Sequence, residues 1–161
     1  MDALPNTSNL AVTYRAVAEL KPHQQNSRAH TRSQIKFVAA SLGTYGWTNP
    51  ILIDDDNVIA GHARLEAAKL LGMVEVPTIC LSHMTQVQKR AYIIADNRMN
   101  EVAGSWDRKI LALEHEAIRL MDPSFDISST GFSLDDVEIM IDGLTLCRED
   151  EAAAPDRSHP P

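Results

Sequence analysis

The stretch Val58-Ile-Ala-Gly-His-Ala-Arg-Leu-Glu-Ala-Ala-Lys-Leu-Leu-Gly72 decides how this chain is organised. Its first three residues favour a β-strand, and residues 63–71 favour a helix that ends at Gly72. Gly61 lies between them, where it permits a sharp turn and lets a ligand come close to the backbone. The sequence therefore predicts a strand, a tight turn and a helix whose N-terminus can receive an anion.

Arg64 falls in the first turn of this predicted helix, where the helix dipole disfavours a cation. A phosphate held between the amides of the turn and the guanidinium would remove the conflict, because the planar guanidinium suits bidentate binding of phosphate. The alternative is an ion pair between Arg64 and one of the neighbouring carboxylates, which belong to Asp54, Asp55 and Asp56. The residues alone leave both interpretations open.

Before the central stretch, the pattern predicts one strand, one helix and a hairpin. Residues 11–20 suggest the first strand, and residues 21–31 form a basic loop without an apolar period. Thr31 and Gln34 have the spacing of a capping box, which predicts a helix after the loop. Residues 50–60 predict a β-hairpin that turns at the three acidic residues and leads into the central stretch.

After the central stretch, residues 74–81 predict another strand, in which Pro77 argues for an edge strand or a strand start. Thr85 and Gln88 repeat the capping box and open a second long helix. The apolar positions of this helix are Val87, Ala91 and Ile94.

A polar segment at residues 95–101 follows this helix, and we expect it to be a loop. Asp96 could hold Mg²⁺ or a water molecule, and Asn97 could add an amide oxygen as a second hard ligand. The alternative is that the two side chains cap the helix end and the next turn. Both interpretations stay open at this point.

The second half of the chain is more acidic and predicts two further helices. The first carries an apolar stripe and stops at Asp122; the stripe consists of Trp106, Ile110, Leu113, Ala117 and Leu120. Ser133 with Asp136 opens the second. We expect residues 105–144 to form an α-helical appendage with buried stripes, and residues 145–161 to form a disordered tail.

The composition limits the location and the partners that we expect for the protein. The chain has 161 residues, 44% of them hydrophobic, two cysteines and a formal net charge of −7. It shows neither a secretory leader nor a long apolar run, so we expect a cytoplasmic protein without membrane contact. Because non-specific DNA affinity depends on many cationic contacts to phosphates, we expect duplex DNA to bind weakly and without sequence preference.

Four segments occur in a characteristic order: Leu20-Lys-Pro22, Asn49-Pro-Ile-Leu-Ile-Asp54, Ile59-Ala-Gly-His-Ala-Arg64 and Val76-Pro-Thr-Ile79. Together they resemble the N-terminal domain of the ParB/sulfiredoxin superfamily, also called the ParB-like nuclease domain, over roughly residues 12–100. The continuation at residues 88–98 is similar to ParB-like domains of phages and mobile elements that often precede a DNA methyltransferase. The resemblance implies a compact α/β domain with a small mixed sheet over residues 11–104.

The resemblance also implies a nucleotide site. Partition ParB proteins bind CTP with Mg²⁺ and use a Gly-x-x-Arg motif for the phosphates. Gly61 and Arg64 match this motif, with His62 and Ala63 between them. Sulfiredoxins carry a catalytic cysteine between the glycine and the arginine, so the resemblance implies that sulfiredoxin chemistry is excluded here.

A second ParB motif, Glu-Asn-x-Gln-Arg, supports metal binding and hydrolysis. Asp96 and Asn97 match its first two positions conservatively, whereas Met99 and Asn100 depart from the last two. The resemblance implies Asp96 and Asn97 as metal ligands and Asp96 as the catalytic residue of a slow hydrolysis.

The function implied by the resemblance is binding of CTP or another nucleoside triphosphate with Mg²⁺. The basic loop, with Asn26 and Arg28, would close over the nucleotide. Alternatives are a DNA-associated nuclease, a DNA-binding adaptor for a methyltransferase, and a small-molecule phosphotransferase. Expected partners are the nucleotide, weakly bound DNA, a DNA methyltransferase and a second copy of the chain in a homodimer.

Overall fold

The computed structural model describes residues 10–23, 30–101 and 104–153, and it divides the chain into two compact units, Met1–Ala103 and Gly104–Pro161. The first unit is a five-stranded mixed sheet with three α-helices and a 3-10 helix (Val17–Glu19). Its strands are β1 (Val12–Ala16), β2 (Lys21–Pro22), β3 (Ile51–Asp54), β4 (Asn57–Ala60) and β5 (Glu75–Cys80), and its helices are α1 (Arg32–Tyr45), α2 (His62–Leu70) and α3 (Gln86–Glu101). The mixed α/β fold expected from the sequence is confirmed.

The strands lie in the order β1-β5-β3-β4-β2. The β1–β5 and β3–β4 pairs are antiparallel, whereas β5–β3 and β4–β2 are parallel. The predicted hairpin is present as β3 and β4, and its two-residue turn places Asp55 at a φ of 52°. The expected strand, turn and helix are present as β4, Gly61 and α2.

The expectation that Pro77 marks an edge strand or a strand start is wrong. Pro77 is the third residue of β5, which lies between β1 and β3, and it is in register with Tyr14 of β1. Pairing with β3 begins only at Thr78, opposite Ile51. The proline therefore lies just beyond the end of β3, where β5 has β1 as its only partner and a missing N–H is tolerated.

One aliphatic cluster holds the sheet against α2. Ile51, Ile53, Val58, Leu65 and Val76 are almost fully shielded from water and belong to this cluster. Truncation of Leu65 to alanine would cost about 2–5 kcal/mol, because such a site cannot collapse around the lost methyl groups. This packing fixes the first turn of α2 at the end of β4.

Helices α1 and α2 approach each other through small side chains. Ala67 of α2 packs with Ala39 and Leu42 of α1, and all three are buried. The N-terminus of α1 carries the predicted capping box, in which Thr31 and Gln34 bond each other's backbone N–H groups. The two helices therefore stand beside the turn at Gly61.

Residues 95–101 are helical, which corrects the expected loop. Helix α3 opens with the predicted capping box of Thr85 and Gln88 and continues to Glu101. Asp96 and Asn97 therefore lie inside the helix and do not cap its end. The expected apolar positions of α3 are exposed, and the buried residues within 86–99, the part of the helix whose side chains are described, are Lys89 and Ile93.

The second unit contains α4 (Arg108–Met121), a 3-10 helix (Ile127–Thr130) and α5 (Leu134–Ala153). The side chain of Asp107 caps α4, and Ser133 with Asp136 opens α5 as predicted. Helix α5 continues through Ala153, well past the expected end at residue 144, and residues 154–161 lie outside the described part.

The predicted stripe of α4 is on the exposed side of the helix, which corrects the expectation that it is buried. Trp106 is 69% exposed and touches Phe132 edge-on, while Ile110 and Leu120 are also exposed. The buried residues are Ala112 and His115. Among the described residues, no helix combines the length and the apolar character needed to cross a membrane.

Candidate functional site

A cleft of about 530 Å³ opens in the first unit between α1, the segment 46–49, the start of α2 and the second half of α3. It brings together six residues that the sequence singled out from two separate segments: Gly61, His62, Ala63, Arg64, Asp96 and Asn97. Asn26 and Arg28 lie outside the described residues.

Gly61 forms the turn that opens the cleft. Its φ of 100° and ψ of 24° are left-handed, a conformation in which a side chain is strained. Gly61 is the N-cap of α2 and supplies no side chain to cap the first amides of the helix. His62 and Ala63, the first two residues of the helix, border the cleft. The N–H groups at a helix N-terminus lack intrahelical partners and can donate to an anion.

Arg64, in the first turn of α2, also borders the cleft. Its Nη1 donates to the carbonyl oxygens of Asn49 at 2.7 Å and Pro50 at 2.8 Å. Burial lowers the pKa of Arg64, although the nearby carboxylate of Asp96 acts in the opposite direction. These two bonds use only Nη1, so the geometry leaves the Nη2 and Nε groups of the same guanidinium for an anion.

An ion pair between Arg64 and the acidic turn, the alternative left open by the sequence, is wrong. The carboxylate of Asp54 accepts from Lys89 and Gln86, and Asp56 pairs with Arg15. Arg64 instead bonds backbone carbonyls of the segment just before β3.

His62 is bonded through its ring. Its Nε2 accepts the backbone N–H of His23 at 3.2 Å, so the neutral ring with its proton on Nδ1 fits this arrangement. Burial lowers the pKa of His62, and electrostatic repulsion from the neighbouring His30 and His23 lowers it further. Sequence reasoning assigned only the backbone of His62 to the site and missed this contact, because residues far apart in the chain make it.

Asp96 and Asn97 are partly buried on α3 and both border the cleft. Mg²⁺ bound with phosphates usually takes one or two protein carboxylates and keeps several waters. The described residues contain no group of three or more His, Cys, Asp or Glu that could hold a metal ion. Asp96 and Asn97 offer one carboxylate and one amide oxygen, which are donor types that Mg²⁺ accepts.

An ion pair between a buried lysine and a partly buried aspartate fixes α3 to the sheet. Lys89, only 6% exposed, donates from Nζ to Oδ1 of Asp54 at 2.5 Å, and Gln86 donates to Oδ2 at 3.0 Å. The hydrogen bond from Lys89 is the largest cause that lowers the pKa of Asp54, and the hydrogen bond from Gln86 lowers it further. Sequence reasoning missed this pair, since Lys89 stands between other polar residues and nothing local marks it as buried.

Comparison with known proteins gives the family. The family model of the ParB N-terminal domain matches residues 3–97. The chain belongs to the ParB N-terminal domain family. The prediction of a ParB-like N-terminal domain is therefore confirmed.

Two curated relatives of this ParB-family chain are similar over its first half. The ParB-like nuclease domain-containing protein YnaK of Escherichia coli K12 is 42% identical over 85 residues, which are 52% of this chain and 98% of YnaK. The probable chromosome-partitioning protein ParB of Rickettsia typhi is 30% identical over 80 residues, which are 48% of this chain. The match covers 28% of the Rickettsia protein.

A solved ParB structure has a similar fold. It is the C-terminally truncated chromosome-partitioning protein ParB of Caulobacter crescentus, complexed with CTP-γ-S. The TM-score is 0.66 at 18% identity, over 91% of this chain and 81% of that one. At this identity the likeness concerns the fold.

Proposed function

We propose that this ParB-family domain binds a nucleoside triphosphate, CTP first, with Mg²⁺ in the cleft. The observation that carries the proposal is that one cleft gathers the Gly61 turn, the Arg64 guanidinium and the Asp96–Asn97 pair. The similar fold of a ParB that was crystallised with CTP-γ-S supports CTP as the first candidate.

Different residues of the cleft would bind the phosphates and the metal. The amides of the first turn of α2 and the free N–H groups of Arg64 bind phosphate oxygens, because charge-assisted hydrogen bonds to phosphate are short and strong. Asp96 and Asn97 offer hard oxygen ligands to Mg²⁺. The metal would neutralise phosphate charge. Arg64 also donates a hydrogen bond to the carbonyl oxygen of Asn49, which borders the cleft. The same side chain would therefore contact phosphate and maintain the shape of the cleft.

Substitution of Arg64 tests the phosphate contact. Arg64→Ala should weaken CTP binding about tenfold to over a hundredfold, since it removes one or two charge-assisted bonds worth roughly 1.5–3 kcal/mol. It should also lower the free energy of unfolding by about 1–3 kcal/mol, because two carbonyls lose their donor. Arg64→Lys should restore only part of the affinity, because an ammonium lacks the planar fork.

The measurement is calorimetric titration of CTP, ATP and GTP, with and without Mg²⁺, at a temperature where every variant is folded. Lys69→Ala is the matched control, since Lys69 is on the same helix, pairs with the exposed Glu66 and does not border the cleft. Asn97→Ala should weaken binding chiefly when Mg²⁺ is present. Unchanged CTP affinity in both Arg64→Ala and Asn97→Ala would remove the support for a nucleotide site.

Hydrolysis is a further part of the proposal: Asp96 would orient a water molecule, and the rate would be slow and governed by positioning and charge neutralisation. The nuclease alternative is tested by incubation of plasmid DNA with the protein and Mg²⁺. The homodimer, the methyltransferase partner and the cytoplasmic location stay predictions from the sequence.

A further inference from the structure

A second cavity, of about 340 Å³, lies in the first unit beside the N-terminal turns of α3. We call it the α3 cavity. The ionisable residues that border it are mostly basic: Lys21, His23, Asp54, Lys89 and Arg90. Its volume is in the range of small-molecule sites. No part of the nucleotide proposal uses it.

The one carboxylate of this lining is already neutralised. Both oxygens of Asp54 accept hydrogen bonds, Oδ1 from Lys89 and Oδ2 from Gln86. Because the charges of Asp54 and Lys89 cancel, the net charge of the cavity comes from the other cations of the lining.

Lys21 and Arg90 supply that charge. Both side chains border the cavity and are exposed, and neither forms an ion pair with any residue of the described part of the chain. Arg90 lies in the second turn of α3. An anion bound in the cavity would offset these two unpaired positive charges.

We propose that the α3 cavity is a second anion site, which binds a phosphate group through Lys21 and Arg90. The Arg90 guanidinium is suited to bidentate contact with phosphate, and the Lys21 ammonium adds a point charge. The buried Ile59 and Ile93 form an apolar base against which the carbon part of a phosphate ester can pack.

The phosphate can come from two sources. Ile59 and Ile93 border both cavities, and the backbone of His23 donates to His62 of the cleft, so only a thin wall separates the two sites. One source is a separate small phosphate ester or oligophosphate. The other source is the distal phosphates of a nucleotide bound in the cleft. Only this second source depends on the proposed function.

Tripolyphosphate is the probe for the site itself. We expect the double variant Lys21→Gln/Arg90→Gln of the full chain to bind tripolyphosphate at least about tenfold more weakly than the wild type in calorimetry at physiological salt. The matched control is Arg32→Gln/Lys36→Gln, which removes one arginine and one lysine from the exposed face of α1, outside both cavities. The control should change the affinity less than about twofold, and thermal melts should show that both double variants are folded.

The same titrations with CTP and Mg²⁺ separate the two sources. Unchanged CTP affinity in Lys21→Gln/Arg90→Gln, together with the loss for tripolyphosphate, assigns the α3 cavity to a separate phosphorylated ligand. A parallel loss for both assigns it to the phosphate tail of the nucleotide. A further outcome is that CTP fails to bind the wild type while tripolyphosphate binds it more tightly than it binds Lys21→Gln/Arg90→Gln. In that case the nucleotide proposal is wrong and the proposal of an anion site in the α3 cavity is supported. Equal tripolyphosphate affinity of the two double variants would overturn the inference.

Discussion

At the scale of single residues, His62 makes the stability of the protein depend on pH. Burial lowers the pKa of His62 in the folded chain, while the unfolded chain has the ordinary value of about 6.5. Above pH 6.5 both states are neutral at this ring, so the full stability is present. As the pH falls below 6.5, the unfolded chain binds a proton that the folded chain resists, and the free energy of unfolding decreases.

His62→Gln removes this proton linkage, and its amide oxygen can still accept the N–H of His23. We expect the wild type to lose more stability than His62→Gln between pH 7.5 and 5.5. Urea denaturation of both proteins at three pH values in this window measures the difference. Identical pH slopes would show that His62 contributes nothing to the pH dependence.

Arg64 shows what single residues reveal before a structure is known. The conflict between its charge and the helix dipole marked it as unusual, and in the structure it borders the cleft; its contact with phosphate stays a prediction. Its partners could not be read from the sequence, because the carbonyls of Asn49 and Pro50 are backbone groups that any residue type could supply. The acidic turn was the more visible candidate, but Asp54 is paired with Lys89 and Asp56 with Arg15.

At the scale of elements, α3 is where sequence reasoning missed most. The capping box at its start was predictable, since its two residues are close in the chain. Its course after residue 95 was not, because Asp96 and Asn97 have low helix propensity and favour turns. A long-range bond between Lys89 and Asp54 binds the helix to the hairpin, and no local pattern contains that information.

The Lys89–Asp54 pair gives a test at this scale. Lys89→Met leaves the partly buried Asp54 without its cation and should lower the free energy of unfolding by about 1–3 kcal/mol, a range discounted for the partial exposure of Asp54. The double variant Lys89→Met/Asp54→Asn should recover part of the loss, because no unpaired charge remains. We also expect Lys89→Met to bind nucleotide more weakly, since α3 carries Asp96 and Asn97 into the cleft.

Urea denaturation and CTP titration of the same proteins measure both effects. Arg90→Gln serves as the stability control, because Arg90 is adjacent to Lys89 but exposed and outside the pair. If Lys89→Met were as stable as the wild type, the pair would have no part in fixing α3.

At the scale of the whole molecule, the fold class and the family could be predicted from the order of several short motifs. The hairpin, the central turn and the two capping boxes are local features, and all of them are present in the structure. The stripe of α4 was misjudged because its spacing shows only that one face is apolar, and the structure leaves Trp106 and Leu120 exposed. A periodic pattern identifies a helix, but it cannot say whether a partner covers the apolar face.

The charge of the chain leads to the last prediction, which concerns DNA. The formal net charge is −7 and the sequence pI is about 5.3, so only a few phosphates of a duplex can be neutralised at once. Each neutralised phosphate releases counterions, and the affinity then falls with salt in proportion to the number of contacts. We expect a Kd of about 10⁻⁴ to 10⁻⁶ M at physiological salt, equal for unrelated sequences and tighter at about 50 mM salt.

Fluorescence anisotropy with two labelled duplexes of different sequence measures how the affinity changes with salt. The titrations are made at four salt concentrations, with and without CTP and Mg²⁺. Lys36→Gln, on the exposed face of α1, is the single-charge control and should change the affinity little. Nanomolar binding to one duplex and not to the other at physiological salt would show that this chain reads DNA sequence without a partner.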